Sequence, residues 1–267
     1  MKMFAPNVLV VGDTIFDIND PTGKPNSPKA AAEYEAEIME LRRKIVGQPF
    51  GASWLEIVGN NAQPIVIVPT PSTSDAVAQT FPNIPQKPNR TADASNGKGT
   101  PVRLKFNPKA NLGWLTGGVS GDVLLVHELT HAYRSASGRF DPAPLGALVN
   151  PESARRNGEL VRRFPNWEEW FAVVVENVFA SEGGKKILRT NWDILLPSSA
   201  FDPGYIKFWG IPTGGPRTDS EQFAIDYRPA ISRMFQVEAP LYNAMKASGA
   251  WFNPVRDYGT AVLASRL

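Results

Sequence analysis

The sequence predicts an α+β fold in which a small N-terminal sheet is followed by a mostly helical half. Stretches typical of β-strands lie within residues 1–119, whereas long helical periodicities dominate residues 120–267. No internal repeat and no shift in composition divides the chain. We therefore predict a single domain over residues 1–267, with a β-containing N-terminal part (1–119) and a helical part (120–267).

The N-terminal part combines strands with two helices. Residues 7–18 alternate in polarity around a Gly-Asp pair, which predicts a β-hairpin. Residues 28–46 place apolar side chains at helical spacing and basic ones near the end, and residues 50–59 predict a second helix. Residues 64–70 and 101–106 are predicted strands, and the stretch between them that is rich in Pro, Asn and Gly predicts a surface loop.

Composition limits the classes of function. The charges of Lys and Arg exceed those of Asp and Glu by 28 − 26 = 2, without a dense basic run, so we expect no nucleic-acid partner. The chain contains no Cys, which excludes disulfides and thiolate zinc sites. We find neither an apolar run that could span a bilayer nor a signal-peptide core. If the protein leaves its cell, we expect a route that is independent of a signal peptide.

Both histidines of the chain lie in residues 121–137, GDVLLVHELTHAYRSAS, which we predict to form one helix that Gly138 ends. His127 and His131 are one helical turn apart, so both imidazoles can reach a single ion. Glu128 is rotated about 100° from His127, close enough to accept a proton from water but not to bind the ion. This HExxH pattern predicts a zinc site with Glu128 as general base, and two ordinary histidines on a packed helix are the alternative.

A catalytic zinc site needs a third protein ligand and an open position. Because the chain has no further His and no Cys, that ligand has to be a carboxylate. The best source is a helix predicted within residues 164–184, with Asn166 as its N-cap and a Gly-Gly pair at its end. The middle of this helix is apolar on nearly every side, so we expect it to be buried.

Three glutamates of this helix compete, and we predict that Glu169 is the third zinc ligand. Ala172, one turn later, would let the helix approach the histidines closely, whereas the alternative role of Glu169 is a capping bond in the first turn. Glu168 and Glu176 are the two alternative ligands, and if Glu168 is not the ligand we expect it to be a solvated first-turn acid that is dispensable. Glu176 lies deeper, where a carboxylate needs a buried partner, and we expect it to hold a zinc histidine through the other ring nitrogen.

Two segments carry a resemblance to a known family. LLVHELTHAY (124–133) and NWEEWFAVVVENVFASEGGKKILRTN (166–191) resemble NleD-like effector zinc metallopeptidases, a group of secreted bacterial toxins. The element EWFA (169–172) is also similar to one in anthrax lethal factor, and clostridial neurotoxins share the wider plan of HExxH with later glutamates. The resemblance implies a zincin-like fold and a Zn²⁺ site formed by His127, His131 and a glutamate of the later helix, with Glu128 as the base.

The same resemblance implies a function. It is that of a zinc protease that reaches a host or rival cell by a signal-peptide-independent route and cleaves a protein or peptide substrate there. A secretion-system or immunity partner would accompany such a protein. One alternative is a zinc amidase that acts on bacterial cell wall. Another is a binding module with a purely structural zinc, against which Glu128 argues, because a structural site has no use for a base.

Two further sets of residues are weaker candidates. A donor that stabilises the oxyanion is expected besides zinc, and four residues of the C-terminal third have suitable side chains, none of which we assign: Tyr205, Tyr227, Arg228 and Tyr258. The strand at residues 101–106 precedes the histidine helix, and it is either the sheet edge on which an extended peptide docks or an ordinary strand of the sheet.

Overall fold

A computed structural model describes residues 1–16, 23–70, 78–82, 93–109, 120–185, 188–189 and 219–264. In this part of the chain the fold is α+β, with a small sheet followed by a mostly helical half, which confirms the predicted fold class. Contacts divide the chain into two compact units. The sheet unit is Met1–Leu112 with Val119–Phe140, and the helical unit is Gly113–Gly118 with Asp141–Leu267.

The strands of the sheet unit form a five-stranded sheet and a separate two-stranded ribbon. They are β1 (Lys2–Ala5), β2 (Val8–Val10), β3 (Thr14–Ile15), β4 (Lys24–Pro25), β5 (Ile65–Pro69), β6 (Ala78–Pro82) and β7 (Val102–Phe106). The sheet has the order β1-β2-β5-β7-β6, and the ribbon joins β3 to β4. β2, β5 and β7 run parallel, whereas β1 and β6 are antiparallel to their neighbours.

The hairpin predicted over residues 7–18 is wrong. β2 pairs with β1 and β5, and the described residues of β3 pair with β4 instead. The chain reverses earlier, between β1 and β2, where Asn7 adopts a φ of 59°. Gly12 has a different task, because a Cβ at this position would lie 2.4 Å from the carbonyl oxygen of Ala31. A close approach to the following helix therefore explains this glycine.

The predicted helices of the sheet unit are confirmed. They are α1 (Pro28–Val46), α2 (Pro49–Gly59) and α3 (Gly121–Ala136). Ser27 caps α1 by accepting a hydrogen bond from the amide of Ala30 at 3.2 Å. The apolar side chains that define the helical period of α1 are all buried: Tyr34, Ile38, Leu41 and Ile45. α3 packs against α1 and against β6 and β7 of the sheet.

The pairing of the sheet shows whether residues 101–106 are an edge strand on which a peptide could dock or an ordinary strand. These residues form β7, as predicted, but β5 pairs with one edge of β7 and β6 with the other. β7 is therefore an ordinary interior strand, and the hypothesis that a peptide docks on its edge is wrong. The sequence did not predict β6, and residues 83–92 of the predicted surface loop lie outside the described residues.

The C-terminal end of α3 is tied to the segment 93–100 of the same unit. α3 ends at Ala136, and Gly138, two residues later, adopts the predicted left-handed conformation with a φ of 74°. The amide of Gly97 donates to the carbonyl of Gly138 at 2.9 Å, and the amide of Phe140 donates to Ala94 at 2.8 Å. Gly99 lies so close to the helix that a Cβ would be 1.9 Å from the carbonyl oxygen of Ala136. These contacts fix the helix that carries both histidines.

The helical unit is built around a buried aromatic cluster. Its helices are α4 (Pro151–Arg156), α5 (Trp167–Glu182), α6 (Asp219–Asp226), α7 (Arg228–Val237), α8 (Ala239–Ala247) and α9 (Pro254–Ala264). The rings of Trp167 and Trp170 in α5 stack with centroids 5.0 Å apart, and Phe223 of α6 stacks on Trp170. Of all the helices in the described residues, none combines the length and the apolarity that a membrane crossing requires.

Candidate metal centre

The two histidines of α3 face each other across one helical turn. Their Nε2 atoms are 3.1 Å apart, and their rings meet edge to face with centroids separated by 4.8 Å. Both side chains are buried. Two imidazole nitrogens at this distance share either a proton or a cation. Nitrogens that bind one tetrahedral zinc lie about 3.3 Å apart, since each bond is about 2.0–2.1 Å long. The observed spacing therefore fits a shared metal ion.

Glu128 differs from its neighbours in α3 in its access to solvent. All residues of the helix are buried except Gly121, at its start, and Glu128, which is partly exposed. A general base has to meet water and substrate, so partial exposure suits this role better than full burial. The neighbouring His127 is turned inward on the same helical turn, which is the offset that the sequence predicts for a base beside a ligand.

The first turn of α5 presents a second partly exposed carboxylate. The side chain of Asn166 accepts a hydrogen bond from the amide of Glu169 at 2.9 Å, so the predicted N-cap is confirmed. Within α5 every residue is buried except Glu169 and Glu182, the last residue of the helix. Of the three glutamates that compete for the metal, Glu169 is thus the one that is partly exposed.

His127, His131 and Glu169 form a group that could bind a metal ion. One ligand atom from each residue, a ring nitrogen or a carboxylate oxygen, lies within 4.8 Å of the other two. Imidazole nitrogens with a carboxylate oxygen suit zinc and several other divalent transition metals. The donor set therefore fits a metal, and the structure brings together the three ligands that the sequence predicts.

Glu168 does not have the exposed environment that the sequence suggests. Only 1% of its surface is exposed, and its Oε2 accepts a hydrogen bond from the amide of Asp141 at 3.1 Å. The expectation of a solvated first-turn acid is wrong because the segment that follows the histidine helix packs over this turn. The amide of Trp167 bonds the carbonyl of Ala143 in the same segment, at 2.9 Å.

Glu176 lies in the buried middle of α5 with a cationic partner that the sequence did not predict. Its Oε2 is 3.0 Å from Nη1 of Arg189, and the exposed fractions of the two side chains are 1% and 9%. Asn177 holds the backbone of Arg189 through bonds of 3.0 and 2.7 Å. The adjacent Glu-Asn pair in an apolar helix is the signal for such a partner, since buried polar groups need one. The role predicted for Glu176 beside a zinc histidine stays a prediction.

The candidates for an oxyanion donor have different environments. The hydroxyl of Tyr227 is buried and donates to the carbonyl of Leu160 at 3.2 Å, and burial raises the pKa of this tyrosine far above its usual value. Tyr227 therefore has a packing role in the helical unit. Arg228, at the start of α7, is exposed, and Tyr258 of α9 is partly exposed. Tyr205 lies outside the described residues.

No model of a known protein family matches this chain. Comparison with curated proteins gives no match either.

Proposed function

We propose that this protein is a zinc-dependent peptidase in which His127, His131 and Glu169 bind Zn²⁺ and Glu128 is the general base. The observation that carries the proposal is the convergence of three ligand atoms within 4.8 Å of one another. Two of these atoms belong to the only histidines of the chain. A chance arrangement would not place both on one helical face beside an accessible carboxylate.

The number of ligands favours a catalytic over a structural site. The group found among the described residues has three members, and catalytic zinc sites use three protein ligands where structural sites use four. Zinc bound there would acidify a water molecule and polarise a substrate carbonyl. Glu128 follows His127 in the chain and is partly exposed. In the proposed reaction its carboxylate accepts the proton of the attacking water and passes it to the leaving amine.

The substrate class is the part of the proposal that depends on resemblance. Residues 124–133 and 166–191, which contain the four site residues, resemble the corresponding segments of NleD-like effector zinc metallopeptidases. On this basis the substrate is a protein of a host or rival cell, and delivery follows a signal-peptide-independent route. A secretion-system or immunity protein is then the expected partner.

The test uses purified full-length protein, wild type and Glu128→Gln, each first analysed for zinc. Both are incubated with a bacterial and a eukaryotic proteome and with peptidoglycan, and new peptide termini and released muropeptides are identified by mass spectrometry. We expect one zinc per chain in both proteins, and new termini only with the wild type. Release of muropeptides without new peptide termini would show that the protein is a cell-wall amidase and not a peptidase. Bound zinc with neither product would show a structural zinc in a binding module.

A further inference from the structure

The adjacent glutamates of α5 have different environments, and we propose that they have different tasks. Glu169 presents its carboxylate to the metal, and Glu168 is a positioning residue that holds the helix in the rotation this requires. This inference rests on the zinc site proposed above. It assigns a function to a residue that the sequence suggested was dispensable.

Three consecutive residues at the start of α5 are each anchored by one hydrogen bond. The amide of Trp167 donates to the carbonyl of Ala143 at 2.9 Å. The carboxylate of Glu168 accepts from the amide of Asp141 at 3.1 Å. The amide of Glu169 donates to the side chain of Asn166 at 2.9 Å. Of these three bonds, only the one to Glu168 engages a side chain that projects from the helix itself.

The group that Glu168 holds is itself fixed. One carboxylate oxygen of Asp141 accepts from the amide of Ala143 at 3.0 Å, and the other pairs with the guanidinium of Arg233. The same guanidinium carbon lies 5.3 Å from the centroid of the Trp167 ring, a distance at which a cation and an aromatic face attract. Glu168 is therefore linked through Asp141 and Arg233 to Trp167, the first residue of its own helix.

Helix rotation connects this network to the metal. Side-chain ends lie about 5–6 Å from a helix axis, so a rotation of about 10° moves them by about 1 Å. Metal sites tolerate deviations of only about 0.2 Å in ligand distance. Glu168 and Glu169 project about 100° apart, so a bond to Glu168 constrains the direction in which Glu169 points without blocking it. Burial strengthens this anchor, because a buried carboxylate that loses its donor is costly.

The experiment compares zinc affinity and stability in three variants of the full chain: Glu168→Ala, Glu168→Gln and the control Val178→Ala. Val178 is fully buried in the same helix, so its truncation destabilises the protein without touching the network. Zinc affinity is measured by competition with a chromophoric chelator, at a temperature where thermal unfolding shows each zinc-free variant to be folded. Cobalt replaces zinc for a visible spectrum that reports ligand geometry.

We expect Glu168→Ala to weaken zinc binding about 10- to 100-fold, as for other residues that orient a ligand, and to change the cobalt spectrum. Glu168→Gln should stay within a few-fold of the wild type, because its amide oxygen can still accept from Asp141. Val178→Ala should bind zinc as the wild type does. If Glu168→Ala does not fold, Glu168→Asp takes its place, since a carboxylate one methylene shorter no longer reaches the amide.

Unchanged zinc affinity in Glu168→Ala, or an equal loss in Val178→Ala, would overturn the positioning role. Glu169→Gln forms the separate arm that tests the site itself. A wild type without zinc, or full zinc in Glu169→Gln, would overturn the proposed zinc site whatever Glu168→Ala does. Zinc lost in Glu169→Gln and retained in Glu168→Ala would leave the site intact and remove only the positioning role.

Discussion

The helices α3 and α5 are alike in size and burial. They differ in how far the local sequence determines the positions of their candidate ligands. Each has 16 residues and is enclosed along nearly its whole length, with a glutamate as the accessible interior residue. In α3 the two ligands are one turn apart on a single helix, so helical geometry alone brings them together. In α5 two of the acids have partners that are distant in the chain: Asp141 lies 27 positions from Glu168, and Arg189 lies 13 positions from Glu176. Local spacing therefore predicts the histidine pair reliably and the carboxylate less so.

The largest expected effect tests the local half of this comparison. His131→Ala removes one of the two imidazoles that face each other at 3.1 Å, so we expect purified protein to lose its zinc completely. Elemental analysis measures this directly. Thr130→Val is the matched control, because Thr130 is buried next to His131 and its hydroxyl donates to the carbonyl of Val126 within the helix. Full zinc in His131→Ala would mean that α3 does not define the site.

The next effect concerns the middle of α5. Glu176→Gln removes the charge that faces Arg189, and breaking a buried ion pair on one side costs about 3–5 kcal/mol of unfolding free energy. We expect urea unfolding to show this loss and the double variant Glu176→Gln with Arg189→Met to recover part of it. If Glu176 also holds a histidine, zinc affinity of the single variant falls about 10- to 100-fold even where it is folded. A single variant as stable as the wild type would contradict the ion pair.

A smaller effect tests how the end of α3 is fixed. Gly99→Ala places a Cβ where only 1.9 Å separates it from the carbonyl oxygen of Ala136, at a φ of +73°. Gly97→Ala is the control, since its φ is also positive but nothing lies within 4 Å of the added Cβ. The control should cost about 1–2 kcal/mol from the backbone conformation alone, and Gly99→Ala distinctly more. Equal thermal unfolding temperatures of the two variants would show that the close approach of Gly99 to Ala136 does not affect stability.

The smallest expected effect concerns Asp226, a buried acid of α6. Burial raises the pKa of Asp226, although Ser153 and Gln222 donate hydrogen bonds to it. The folded state then binds the proton more tightly than the unfolded state. The stability that Asp226 contributes is therefore full below about pH 4 and is lost as the pH rises through the raised pKa. Asp226→Asn should be more stable than the wild type at pH 7.5 and not at pH 4, as measured by urea unfolding. A gain that does not depend on pH would rule out this cause.

The features that the sequence predicted correctly share a local origin. Apolar periodicity predicted α1, α2, α3 and α5, and side-chain chemistry predicted the cap at Asn166. The spacing of His127 and His131 on one helix required no knowledge of the fold. Each of these depends on residues within about one turn of one another.

The features that escaped prediction depend on residues far apart in the chain. Gly12 suggested a turn, yet a glycine is required there because the backbone of Ala31 in the next helix lies too close for a Cβ. β7 has an ordinary strand pattern, and only its pairing with β6 shows that it is not an edge. Glu168 is polar and near a helix start, which is typical of an exposed acid, until the amide of Asp141 is placed against it. Periodicity contains no information about such partners.

The bonds between residues 94–100 and the end of α3 also bear on how the histidine helix opens. Gly97 is exposed, yet its amide donates to the carbonyl of Gly138, and the amide of Thr100 donates to Ser135 at 3.3 Å. The last turn of α3 therefore cannot fray alone, and these amides become available for hydrogen exchange only when both segments separate. The exchange rate of the surface amide of Gly97 then reports how often residues 94–100 separate from the chain at the end of the histidine helix.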